Sequence, residues 1–194
     1  MSKILSFDAE TDGLWGQPFA IAAIVYEYKN AISPASWYAG NPGTSQPIPQ
    51  GWIETARFLA RLSDDVVKND WVKENVLPAI QNVDPTHETY EDMLRDFSDF
   101  YMQNKNEADV ICHMGFPVEA HLLREMHRLG FIGDWDGPFP LIDIAGNLKQ
   151  SGENPKSVDE YAKKHALKIS DYGSTHNPLY DCEVAARSYI NLTK

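Results

Sequence analysis

Two carboxylates at the end of an apolar strand constrain this chain more than any other feature. Residues 3–9, KILSFDA, alternate in polarity and are rich in strand formers, and Glu10 follows at once. Side chains two apart along a strand share a face, so Asp8 and Glu10 converge on one side of a strand that is otherwise apolar. Two like charges held there cost stability unless a cation sits between them. On this fragment alone, a pair of acids at an exposed strand-to-turn edge explains the pattern equally well.

The turn residues Thr11, Asp12 and Gly13 lead to a second strand over 19–28, nearly continuous in apolar residues. Residues 33–40 read as a third, shorter strand, and the Gly- and Pro-dense stretch 41–51 as a surface loop. Residues 54–81 read as helical in two pieces. A helical period through Met93, Phe97 and Phe100 or Tyr101 predicts a helix over 89–103, and 109–112 form a short strand. Pro117 opens a helix that runs to about Leu129 and is capped by Gly130. A last strand is expected at 139–142, with helices over 143–150, 157–166 and 178–192. Early strands in a meander, then alternating helices and strands, predict an α/β domain with a mixed sheet. At 194 residues the chain is long enough for one core and short for two, so residues 1–194 are expected to form a single domain.

Composition removes several classes. No run of about 18 apolar residues is present, so no membrane span is expected. The apolar stretch at the N-terminus is too short for a signal peptide, and Cys112 and Cys182 read as buried free thiols. Both features fit a cytoplasmic setting. The net charge of −11 argues against a broad basic face that grips long duplexes. Residues 84–109 hold eight acids against Arg95 and Lys105, whereas 149–168 are mildly basic. Either the protein binds no nucleic acid, or it binds a short piece through a metal-filled site. Walker A, GxSxG and GxGxxG patterns are absent, and Cys112–His113 lacks the partner pair that zinc needs.

Two further acids occupy unusual positions. Glu119 lies on the apolar stripe of the helix opened by Pro117, three, four and seven residues before Leu122, Leu123 and Met126. A bland first-turn charge is the simpler reading of Glu119 taken alone. Asp181 lies at the edge of the face marked by Cys182, Ala185, Ala186 and Tyr189, in a helix with Asn177 as N-cap and Pro178 first. His176 stands just before that helix and can reach the same space as Asp181. Hard cations such as Mg²⁺ or Mn²⁺ suit such oxygen donors.

These residues resemble the DEDDh, or DnaQ-like, 3′→5′ exonucleases of the ribonuclease H-like superfamily. The segment F-D-A-E-T-D-G-L is similar to the family's first motif, hydrophobic-D-x-E-T-x-G-L, and H-N-P-L-Y-D-C-E-V-A-A-R carries the H-x4-D spacing of its third. S-V-D-E-Y-A-K-K-H-A-L is similar to the helix that precedes the third motif. The middle motif departs: relatives show H-N-x-x-F-D, and here the chain reads H-M-G-F-P-V-E, with Glu119 the nearest acid.

The resemblance implies a ribonuclease H-like mixed sheet flanked by helices. It also implies a two-metal hydrolysis of phosphodiester bonds, with two Mg²⁺ or Mn²⁺ ions held by Asp8, Glu10, Glu119 and Asp181. His176 would be the general base, since an imidazole titrates near ~6.5. Leu14, Trp15 and Thr11, with Phe116 and His113, would bind the terminal nucleotide; Trp37, Trp52, Trp71 and Trp135 read as core or loop anchors. The expected partner is single-stranded or short RNA or DNA with a free 3′ end, RNA slightly ahead, and a homodimer is one option with 33–108 as its interface. The alternatives are a hybrid-specific endonuclease of the same superfamily and a catalytically weak nucleic-acid-binding module.

Overall fold

Alternation along the first strand divides the molecule into two layers. In the computed structural model, which describes residues 3–29 and 51–193, β1 (Lys3–Thr11) pairs antiparallel with β2 (Pro18–Tyr28), which pairs antiparallel with β3 (Trp52–Arg61). On its other side β1 pairs parallel with β4 (Ala108–Cys112), which pairs parallel with β5 (Ile142–Asp143). The result is a five-stranded mixed sheet in the order β3-β2-β1-β4-β5.

Leu5, Phe7 and Ala9 point to one face. They pack with Phe97 of α2 (Tyr90–Asn104) and with Leu122 and Met126 of α3 (Val118–Arg128). The rings of Phe7 and Phe97 lie 5.8 Å apart; full burial of one such side chain contributes ~1.5–3 kcal/mol. Ile4, and by strand alternation Ser6, Asp8 and Glu10, point to the opposite face. There Ile4 packs with Cys182, Ala185, Ala186 and Ile190 of α6 (Pro178–Thr193). The small residues let α6 approach closely, and the Cys182 thiol donates to the Ala22 carbonyl at 3.3 Å. Both cysteines are free and buried, as expected. The remaining helices are α1 (Asp70–Asn75), α4 (Ile144–Gln150) and α5 (Val158–Lys164). No helix among the described residues is long and apolar enough to cross a membrane.

The expected helix at the start of 54–81 is wrong. Residues 52–61 form the edge strand β3, and from Trp52 to Phe58 exposure alternates with the strand period. Glu, Ala, Arg and Leu favour helix intrinsically, but pairing with the buried β2 overrides that preference. The second expected piece reduces to α1 and a short 3₁₀ turn at Leu77–Ile80, into which Pro78 fits near the start. The strand expected at 139–142 is only Ile142–Asp143, because Phe139 and Pro140 belong to an exposed loop. The proposed strand at 33–40 and nearly all of the loop at 41–51 lie outside the described residues. Of the tryptophans expected as anchors, Trp52 is buried, whereas Trp71 and Trp135 are 57% and 87% exposed; Trp37 is outside the described residues.

Candidate functional site

β1 is longer than its parallel neighbour. Pairing with β4 ends at Ser6 opposite Ile111, while pairing with β2 continues to Thr11, past an irregularity between Glu10 and Thr11. Asp8 and Glu10 therefore project beyond the carboxyl ends of the parallel strands, where open α/β sheets leave a crevice. Asp181 joins them from the first turn of α6. One carboxylate oxygen from each of Asp8, Glu10 and Asp181 lies within 4.8 Å of the others. The start of α6 is fixed by Asn177, whose Oδ1 accepts from the Leu179 N–H at 3.1 Å and whose Nδ2 donates to the Tyr172 carbonyl at 2.7 Å. Asp181 is held in turn, its Oδ2 accepting the backbone N–H of His176 at 2.9 Å.

Glu119 arrives from the opposite layer. It is 3% exposed, and its Oε1 accepts the Ala9 N–H at 3.3 Å, an amide beyond the end of the β4 pairing. Glu119 stands beside the three-carboxylate set rather than within it. The turn that leads to it is tightly specified. The N–H groups of Met114 and Gly115 donate to Asp143 at 3.0 and 3.1 Å, and the same carboxylate caps α4 through Ala145 N–H at 2.9 Å. A Cβ on Gly115 would lie 2.3 Å from the Cys112 sulfur, so this position requires glycine.

All four carboxyls are harder to ionise than usual. Each of the three that converge retains some exposed surface, yet burial pushes Asp8 from 3.8 up to about 7. Burial, then repulsion by Asp8, Asp181 and Glu119, pushes Glu10 well above the carboxylate range. Glu119 and Asp181 are raised by burial and then by Asp8, partly offset by the N–H groups of Ala9 and His176 respectively. Among the described residues, the one basic side chain within 4.0 Å of any of the four is His176, whose Nδ1 is 3.9 Å from Glu10 Oε1. Carboxylate oxygens alone, close together and lacking a Lys or Arg partner, fit a hard divalent cation.

The cluster forms one wall of a cavity of about 380 Å³, also lined by Leu14, His113, Phe116, Lys156, Asp159 and His176. Of the residues expected to contact substrate, Leu14, His113 and Phe116 thus reach this cavity. Thr11 and Trp15 line an adjoining cavity of about 350 Å³ that shares Leu14 and Phe116. Trp15 and Phe116, 74% and 75% exposed, meet edge to face with centroids 5.7 Å apart. The His113 Nε2–H donates to the Pro155 carbonyl at 3.0 Å, tying β4 to the loop before α5.

Sequence reasoning missed Trp71, whose ring stands edge-on to His176 at 5.7 Å. The β1–β2 turn brings it there. Asp12 accepts the N–H groups of Lys68 and Asn69 at 3.0 and 2.7 Å, and the Asn69 side chain caps α1 through Val72 N–H. Asp12 therefore docks α1. Asp159 was also missed: it accepts from the Tyr180 hydroxyl at 2.8 Å and the Thr175 hydroxyl at 3.4 Å on either side of His176. Nothing in the local pattern marks Trp71 or Asp159, because both contacts join segments far apart in sequence. The chain matches no protein-family model and, at a significant level, no curated protein, so the site is read on its own geometry.

Proposed function

We propose that this protein is a metal-dependent 3′→5′ exonuclease of the DEDDh kind, on a ribonuclease H-like sheet, acting on short or single-stranded nucleic acid. The observation that carries the reading is the convergence of Asp8, Glu10 and Asp181, with Glu119 and His176 beside them, at the end of the central strand. The four acids come from three separate elements and His176 from the turn before α6, and the order of acids and histidine along the chain is that of the resemblance drawn above. The wall formed by Leu14 and Phe116 supports a terminal base at the cluster.

Asp8, Glu10 and Asp181 would hold the divalent cations, Mg²⁺ or Mn²⁺, with Glu119 as the fourth carboxylate. Such ions, when bound, lower the pKa of water and stabilise charge on the leaving oxygen. His176 accepts the proton of the attacking water, its Nδ1 being the base nearest the cluster. The perpendicular contact with the Trp71 ring and the Asp181 bond to the His176 amide position that imidazole. Leu14 and Phe116 exclude water from the terminal nucleotide and orient it.

The test is degradation of 5′-labelled single-stranded RNA and DNA with Mn²⁺, with Mg²⁺ and with EDTA. A metal-dependent ladder shortening from the 3′ end is expected, and the faster substrate reports the sugar preference. Cleavage of a circular single strand would refute an exonuclease and favour an endonuclease. A second reading, a binding module with little activity, draws on Glu119 standing outside the three-carboxylate set. Oligonucleotide binding without any ladder would favour it.

A further inference from the structure

The exposed face of α3 carries a charge pattern opposite to that of its buried face. Ala120, His121 and Arg124 follow one another at helical spacing and line the 350 Å³ cavity beside the carboxylate cluster. Glu119, Leu122 and Met126 occupy the buried face. The two cavities share Leu14, Phe116, Pro117 and Val118, so they are neighbouring compartments along one wall. Their linings differ in sign. Five carboxylates and a single lysine, Lys156, line the catalytic compartment, together with His113 and His176. In the second compartment the ionisable side chains are His121 and Arg124, and it contains no acid. Arg124 is exposed, and among the described residues it makes no ion pair within 4.0 Å, whereas Arg128 one turn on is held by Glu125.

On the exonuclease reading, on which this inference rests, we propose that the second cavity is the subsite for the nucleotide next to the 3′ end. Arg124, assisted by His121, holds the phosphate one step 5′ of the bond to be broken. The Trp15–Phe116 pair offers its exposed aromatic surface to the base of that nucleotide. A chain with a net charge of −11 must neutralise a nucleic-acid backbone locally. Basic groups beside exposed aromatics are the combination that binds single strands without reading sequence. The arrangement also gives the strand a direction: its 3′ end lies at the carboxylates and its 5′ side passes over Arg124.

The experiment compares wild type with Arg124→Ala and Arg124→Lys. One readout is binding of a fluorescein-labelled single-stranded hexathymidylate with Ca²⁺ present, measured over a salt series. The other is Mn²⁺-dependent hydrolysis of the p-nitrophenyl ester of thymidine 5′-monophosphate, which has no second phosphate. Arg124→Ala is expected to weaken hexathymidylate binding about tenfold and to flatten the logarithmic salt slope by about 0.7, the loss of one phosphate contact on a single strand. Arg124→Lys restores most of the slope, and both variants hydrolyse the ester at the wild-type rate. Unchanged affinity and slope in an ester-active Arg124→Ala protein would overturn the subsite and leave the exonuclease standing. Arg124-dependent binding by a wild type that hydrolyses neither substrate would sink the exonuclease, and with it the subsite's place beside a bond to be broken, leaving Arg124 as a phosphate contact alone. A folded wild type that neither binds nor hydrolyses overturns both.

Discussion

Asp8→Asn should make the metal-free protein more stable above neutral pH while removing its response to metal. In the folded chain Asp8 keeps its proton up to about pH 7, whereas an ordinary Asp loses it near 3.8. Between those values the native state binds more protons than the unfolded state, so stability falls as pH rises. The difference of roughly three units, at ~1.4 kcal/mol each, sets an upper limit of about 4 kcal/mol on the cost of the ionised Asp8 above neutral pH. Replacing the carboxyl by an uncharged amide of similar shape removes much of that cost and relieves the repulsion that Asp8 exerts on Glu10, Glu119 and Asp181. Urea denaturation in EDTA at about pH 8 should therefore favour Asp8→Asn by about 1–4 kcal/mol, and at about pH 4 the two proteins should nearly coincide. With Mn²⁺ at about a hundred times its dissociation constant, wild type should gain ~2.7 kcal/mol and the variant much less. An Asp8→Asn protein less stable than wild type in EDTA at the higher pH would refute the electrostatic account. Equal stabilisation of both proteins by Mn²⁺ would refute the role of Asp8 as a ligand.

Three further outcomes are expected. His176→Asn tolerates the left-handed backbone at that position, φ 73°, so it should keep the fold and Mn²⁺ binding and lose about 10²–10⁴-fold in turnover on oligonucleotides; wild-type turnover would remove the base assignment. Glu183 is fully buried, accepts the Ser170 N–H and hydroxyl at 2.9 Å each and pairs with Arg187. Glu183→Ala leaves that arginine uncompensated and should cost ~3–5 kcal/mol in urea unfolding, with a loss below about 1 kcal/mol arguing that the pair is solvated. Gly115→Ala forces a methyl group against the Cys112 sulfur; a loss of about 1–3 kcal/mol is expected by thermal unfolding, together with weaker Mn²⁺ binding by calorimetry as Glu119 is displaced.

The strands that carry the acids were legible because alternation in KILSFDA and the apolar run after Phe19 are local signals. The helix that carries Glu119 was legible from Pro117 and the spacing of Leu122 and Met126, and Asp181 from the Asn177–Pro178 start. β3 was misread because its helix-forming residues take strand geometry only through a partner strand. The contact of Trp71 with His176 and the docking of α1 by Asp12 could not be read, since each spans more than fifty residues. The distance of Glu119 from the other acids was hidden for the same reason: it depends on how two layers dock across a sheet.

That cross-sheet construction also sets when the site can exist. Asp8 and Glu10 precede Asp181 by most of the described fold, and Glu119 comes from the layer on the far side of β1. A growing chain that has completed its early strands holds two of the four carboxylates and no histidine beside them. Only after α6 closes over β1 does the cluster become whole, so anything that needs all four carboxylates together waits until that helix has docked.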